Sequence, residues 1–283
     1  MIARVFAYLQ TMRLMICLFA AIMALEGYWL AVHRFEVVSL APVFAAIAAG
    51  SGLAFANVLN DILDLEADRL NHPRRALPSG KITRAEASWL AGVLCVVSLL
   101  SSFLAGGLMF LLAVGLLALS IVYNLWAKKI PILGNFIVAL SGALILATGV
   151  CIAPGGDFPI FPLLATLTFL LAREFLETVS DAPGDRLSGR SSVATLWGQA
   201  RVLRICFGLA LASVVLLVIP AAWLRSSDAR LLYLLTVALI SVLPGVGFII
   251  AIWKDQSLRN IHAVIYRTRI VLFSSLVSLL WLV

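Results

Sequence analysis

Charge is what this sequence has least of. Only 12% of its 283 residues are Asp, Glu, Lys or Arg, while 63% are hydrophobic. A soluble domain carries about 25% charged residues. A soluble helical bundle with an oversized core would not repeat apolar runs near membrane-spanning length, as this chain does. Cysteine is equally sparse. Cys17, Cys95, Cys151 and Cys206 each sit alone in apolar stretches, without a C-x-x-C pair or metal-ligand spacing, which argues against a disulfide framework and a zinc site. The three histidines, His33, His72 and His262, offer no metal spacing either. Acids are fewer than bases, and the net charge is +7. In a soluble protein that excess would suggest nucleic acid. Its distribution along this chain gives a different reading, with membrane lipid as the surroundings, no nucleic-acid partner and no obligate protein partner.

What is abundant is apolar sequence in long blocks. These fall at about residues 14–32, 39–59, 87–106, 108–127, 132–152, 160–178, 202–224, 230–252 and 265–283. Each has room for the roughly 20 residues a crossing helix needs. The expected fold is all-α, a polytopic membrane protein of about nine transmembrane helices forming one domain over residues 1–283. The first block is too long, and lacks the small-residue site, for a cleaved signal peptide. With the N-terminus inside, 18 of the 21 basic residues fall on the inner side. Only Arg34, Arg225 and Arg230 fall outside. The bias supports a multi-pass protein of an inner or cytoplasmic membrane, N-terminus cytoplasmic. Two polar loops, about 60–86 and 177–201, then face the cytoplasm.

Each loop opens on acids. In the first, Asn60, Asp64 and Asp68 recur every fourth residue, so on a helix they share a face, with Asp61 beside it. Stacked carboxylates at a membrane edge repel one another and mark function. Oxygen ligands of this kind suit Mg²⁺. In the second, Asp181 and Asp185 have the same spacing. The stretch Asp64-x-x-x-Asp68-Arg69-Leu70 matches Asp181-x-x-x-Asp185-Arg186-Leu187 at an offset of 117 residues. The match suggests a pseudo-repeat of four-helix units. Pro183 lies between the second pair and cannot sit mid-helix without losing a backbone bond, so that pair is expected at a helix start or turn. Two acidic pairs suit two Mg²⁺ ions bridged by a diphosphate. Lys128, Arg74, Arg75 and Arg186 are the basic residues placed to assist.

These residues resemble the UbiA superfamily of intramembrane prenyltransferases. Its N-D-x-x-D-x-x-x-D pattern is met by Asn60, Asp61, Asp64 and Asp68, and its second D-x-x-x-D by Asp181 and Asp185. Asn71 to Gly80 is similar to its N-x-P-x-R-P-x-P-S-G loop. Tyr123 to Lys128, then Gly134-Asn135, is similar to its Y-x-x-x-x-K…G-N segment. The resemblance implies helices around a central cavity, and Mg²⁺-dependent transfer of a prenyl group from an isoprenyl diphosphate donor to a hydrophobic or amphipathic acceptor, lipid or aromatic. It makes Asn60, Asp64, Asp68, Asp181 and Asp185 the metal ligands. Asp61, Lys128 and Tyr123 would be catalytic, and Lys128, Arg75, Arg74, Arg186 and Asn135 would bind the diphosphate. Arg173-Glu174 and the P-S-G loop look most like the branch that transfers geranylgeranyl to geranylgeranylglyceryl phosphate. Ala76 replaces a usual Pro, and Glu177-Thr178 stands where that branch commonly has Lys-Asp, which leaves the acceptor open. A terpene cyclase using the same acids is the alternative.

Overall fold

A computed structural model describes the chain apart from residues 1, 36–38, 154, 156–157, 188, 190 and 225, and apart from the side chains of 2–3, 70–71, 269, 273–274 and 276. Arg190, Arg225 and the side chains of Asn71 and Arg269, all placed above, lie outside the described residues. Among those described, all regular structure is helical. The helices are α1 (Ile2–Met12), α2 (Leu14–Val32), α3 (Ala41–Leu63), α4 (Leu65–Asn71), α5 (Arg84–Ala105), α6 (Gly107–Leu125), α7 (Leu133–Val150), α8 (Ile160–Leu187), α9 (Val193–Trp197), α10 (Gln199–Val218), α11 (Ser227–Val237), α12 (Leu243–Lys254) and α13 (Leu258–Leu279). A π-helical stretch, Ala238–Val242, joins α11 to α12.

Local sequence sets the boundaries. Pro42 sits in the first turn of α3, where its missing N–H has no bond to lose. Thr83 and Glu86 form a capping box that opens α5. Gly106, at φ 146°, separates α5 from α6. Among the described residues, eight stretches are long and apolar enough to cross a membrane: Leu14–Val32, Ala41–Leu63, Arg84–Ala105, Gly107–Leu125, Leu133–Val150, Gln199–Trp223, Ser227–Lys254 and Leu258–Leu282. The protein is thus an integral, multi-pass membrane protein. The remaining expected span, 160–178, lies in α8, where Arg173, Glu174 and Glu177 interrupt the apolar run.

Two compact units emerge, each described by itself. The first comprises Met1–Trp29, Glu36–Ala127 and Ile145–Gly156. In it α3 packs on α5 and α6, with α1 against α3. Phe55, Val58, Ile62 and Leu65 form a core with Ala76, Leu77 and Ile82. The segment after α4 is therefore anchored back on the helix that precedes it. The C-terminal end of α7 approaches α2 at glycines. A Cβ on Gly149 would stand 1.8 Å from the carbonyl oxygen of Ala24, and one on Gly27 would stand 1.9 Å from that of Leu146. Small residues allow such backbone approach between membrane helices. Glu26, on the same helix, is 1% exposed, and neither carboxylate oxygen has a hydrogen-bond partner among the described residues. It faces the interior and does not snorkel outward.

The second unit comprises Leu30–Phe35, Lys128–Leu144 and Asp157–Val283. Here α8 packs on α10, α9 and α13. Phe175, Leu176, Val179, Val193, Val202, Ile261 and Val264 form its core.

Candidate active site

Both acidic stretches, placed by composition at the openings of polar loops, are helical, as the four-residue spacing of the first implies. α3 runs to Leu63 and α4 restarts at Leu65, with Asp64 at the break at φ −93° and ψ 6°. The helical ladder survives the break. The Asp64 N–H donates to Asn60 O at 2.9 Å, and the Asp68 N–H donates to Asp64 O at 2.8 Å. The every-fourth-residue stack of Asn60, Asp64 and Asp68 therefore persists in the backbone, but the side chains divide. Asn60 and Asp64 are half-buried, while Asp61 and Asp68 are buried. The two buried acids are held by arginines. Arg75 donates to Asp68 Oδ2 at 2.7 Å and lies 4.0 Å from Asp61 Oδ1. Arg13 donates to Asp61 Oδ1 at 3.0 Å and to Asn57 Oδ1 at 2.6 Å. Arg75 is fixed by its own turn, in which its N–H donates to His72 O and its carbonyl accepts from Ser79. Buried Ala76 and Leu77 follow it directly. Arg74 next to it is exposed.

The second stretch corrects the reading of Pro183. That proline lies inside α8, and Asp181 and Asp185 are one turn apart on its last turns. Proline removes the N–H that would bond to Val179 O. Close to the helix end, and with Phe175, Leu176, Val179 and Ala182 packed in the core, that loss does not stop the helix. Asp181 is exposed and Asp185 half-buried. Up the same helix, Arg173 donates to Glu174 at 3.1 Å and also pairs with Glu177. Buried Ser180, next to Asp181, pairs with His262 Nε2 of α13 at 2.6 Å. Lys128 is half-buried in a short 3₁₀ turn, Ala127–Lys129, and Asn135 is half-buried in the first turn of α7. Arg186 is exposed, and Tyr123, in the last turn of α6, is half-buried. Asn60, Asp61, Asp64, Asp68, Arg74, Arg75 and Tyr123 belong to the first unit, and Lys128, Asn135, Asp181, Asp185 and Arg186 to the second.

The pattern of the UbiA prenyltransferase family matches residues 14–273, taking in both acidic stretches. The chain belongs to the UbiA prenyltransferase family. Digeranylgeranylglyceryl phosphate synthase of Sulfolobus acidocaldarius is 35% identical over 201 residues, 68% of this chain and 70% of that protein. The enzyme of the same name from Methanocaldococcus jannaschii is 30% identical over 210 residues, 74% and 73% of the two chains. A solved structure of digeranylgeranylglyceryl phosphate synthase superposes with a TM-score of 0.77 at 25% identity, covering 98% of this chain and 97% of its own. A UbiA homologue from Archaeoglobus fulgidus, bound to GPP and Mg²⁺, shares the fold with a TM-score of 0.70 at 19% identity, covering 95% and 98%. This UbiA chain is a prenyltransferase.

Its first acidic stretch fits a hard divalent cation by donor type. Asn60, Asp64 and Asp68 offer carbonyl and carboxylate oxygens and no sulfur or imidazole, which suits Mg²⁺ better than zinc or copper. Among the described residues, no three His, Cys, Asp or Glu side chains already converge as a metal cluster. Asp61 and Asp68 are turned to arginines instead. Sequence reading missed Arg13 and Asn57, having counted Arg13 only as a membrane anchor. A signal was present: Asn57 is a polar residue inside the second apolar block, one helical turn before Asp61. Ser180 and His262 were missed as a pair because 82 residues separate them.

Proposed function

We propose that this prenyltransferase moves a geranylgeranyl group from its diphosphate to the free hydroxyl of a prenylated glycerophosphate lipid, using Mg²⁺. The observation that carries the reading is the paired D-x-x-x-D-R-L pattern in a UbiA chain, and the named relatives support the acceptor. Asn60, Asp64, Asp68, Asp181 and Asp185 would hold the metal, two ions in all. Bound there, Mg²⁺ would offset the charge that develops on the departing diphosphate.

The chain's own residues do the rest. The allylic carbon–oxygen bond breaks with its electron pair leaving on diphosphate. The acceptor oxygen then bonds to that carbon, and its proton passes to the released diphosphate. Lys128, Arg74, Arg75, Arg186 and Asn135 bind the diphosphate, and Tyr123 acts with Lys128 and Asp61 as a catalytic group. Arg75 can do this while still holding Asp68, because a guanidinium has five N–H donors. Asp61 supports the site from its pairing with Arg13. Apolar helix walls exclude water from the cation, which would otherwise be captured as an alcohol.

The test is purified protein in detergent with Mg²⁺, geranylgeranyl diphosphate and geranylgeranylglyceryl phosphate. Diphosphate release together with the dialkylated lipid is expected. Release with a cyclic hydrocarbon and no need of acceptor would show the cyclase instead. Absence of release with any donor and acceptor would overturn both.

A further inference from the structure

We propose that Arg13 is a positioning residue for the first acidic motif: it fixes Asp61 and so leaves Arg75 to hold Asp68. Arg13 is the single residue between α1 and α2, and its backbone is left-handed at φ 55°. Residues with a Cβ rarely adopt that region, and Gly or Asn would suit it better. The head group explains the choice of arginine. One nitrogen donates to Asn57 Oδ1 at 2.6 Å and another to Asp61 Oδ1 at 3.0 Å. Asn57 in turn donates from Nδ2 to the carbonyl of Met12 at 3.1 Å, at the end of α1. The helix junction and one turn of α3 are thus locked by a closed ring of bonds. A forked planar cation can serve both acceptors at once, and an ammonium is a single point charge.

The consequence runs on to Asp68. The side chains of Asp61 and Asp68 are 7% and 8% exposed, and two cations, Arg13 and Arg75, lie against them. Without Arg13, the cation left beside buried Asp61 among the described residues is Arg75, 4.0 Å away. A buried acid that loses its partner is strongly unfavourable, so Arg75 is drawn from Asp68 toward Asp61. Asp68 then loses the bond that aims it. Arg13 touches neither proposed ligand set nor substrate in this account, and it acts through Asp61 and Arg75.

The activity arm of the test rests on the proposed Mg²⁺-dependent reaction, and the labelling arm does not. Arg13→Asn suits the left-handed backbone while removing the fork. Carbodiimide labelling of carboxyls, read by mass spectrometry on protein in detergent, should rise roughly fivefold or more at Asp61, with a change at Asp68 as well. The Mg²⁺ concentration for half-maximal diphosphate release should rise roughly 10- to 100-fold, as for loss of a residue behind a metal ligand. Arg13→Lys, which keeps the charge, should fall between wild type and Arg13→Asn. A merely structural role would lower the amount of folded protein and leave the half-saturation unchanged. Should Arg13→Asn fail to accumulate, Arg13→Lys and Asn57→Ala carry the same labelling test. Wild-type labelling of Asp61 and Asp68 in the variants that fold overturns the proposal. If wild-type protein releases no diphosphate, the proposed reaction fails while the labelling result still decides the role of Arg13.

Discussion

Asp64 and Asp181 are the proposed metal-binding carboxylates with the least covering in their stretches: the first is half-buried at a helix break and the second is exposed. Removing either side chain leaves the core untouched, so Asp64→Ala and Asp181→Ala should insert normally. At exposed Asp181 the stability change should stay within about 0.5 kcal/mol. Mg²⁺-dependent turnover should be lost in both, and a variant that retains wild-type turnover would remove that acid from the metal set. Lys128→Ala should raise the KM for the diphosphate donor, since a point charge aimed at phosphate contributes binding; an unchanged KM would make Lys128 a membrane anchor. Glu26 is the opposite case. Its buried carboxyl has no partner among the described residues, and leaving such a group unsatisfied costs about 1–3 kcal/mol. Glu26→Leu should raise the thermal midpoint in detergent, and a fall would show that the carboxyl is bonded in the working protein. At this scale the sequence revealed the acids, because their four-residue spacing is local. It concealed which acids are paired, because Arg13 and Asp61 lie 48 residues apart and meet only after α2 and α3 have packed.

Helices were legible as apolar blocks, and their ends were less so. The second block was read as 39–59, yet α3 continues to Leu63 and carries the first acids. The sixth was read as 160–178, yet α8 continues to Leu187 through Pro183. In both cases charge marked the end of the apolar run, while backbone bonding carried the helix on into the polar region. Composition reports where a helix leaves lipid and does not report where its hydrogen bonds stop. Contacts between helices were hidden for a related reason. Gly27 and Gly149 looked like any glycine in an apolar run, and only the packed structure shows backbone oxygen within 2 Å of where each Cβ would stand. Gly149→Val should therefore force α7 off α2. Overpacking typically costs about 1–3 kcal/mol, and a clash with backbone belongs at the upper end. The expected result is a lower yield of folded protein and a lower thermal midpoint. Gly92→Val, on a helix face where a Cβ meets nothing within 4 Å, should leave both unchanged.

At the scale of the whole chain, the number of crossings turns on α8. Among the described residues, eight stretches satisfy length and hydropathy on their own, and α8 adds a long helix whose apolar run is cut by Arg173, Glu174 and Glu177. Those three charges are paired, since the two terminal nitrogens of Arg173 meet both glutamates. Pairing lowers the penalty for placing charge at membrane depth, where unpaired ionisable groups are excluded. Their neighbours Phe175, Leu176 and Val179 are buried in the second unit's core, so the charged turns belong to a packed helix. We therefore expect α8 to cross as well, giving nine spans. The two counts place the ends of the chain differently. Nine crossings put a reporter fused after Val283 on the side opposite the N-terminus, and eight put both on one side. The 18 to 3 division of basic residues was counted on nine spans; removing one crossing would invert the sides of everything after α8, moving Arg190, Arg201, Arg204, Lys254, Arg259, Arg267 and Arg269 outward and only Arg225 and Arg230 inward, against the charge bias that orients membrane proteins. Cysteines introduced at Ser79, in the exposed turn after Arg75, and at Ser227, at the start of α11, should accordingly be labelled from opposite sides of sealed vesicles. Labelling of both from the same side would remove α8 from the crossing helices.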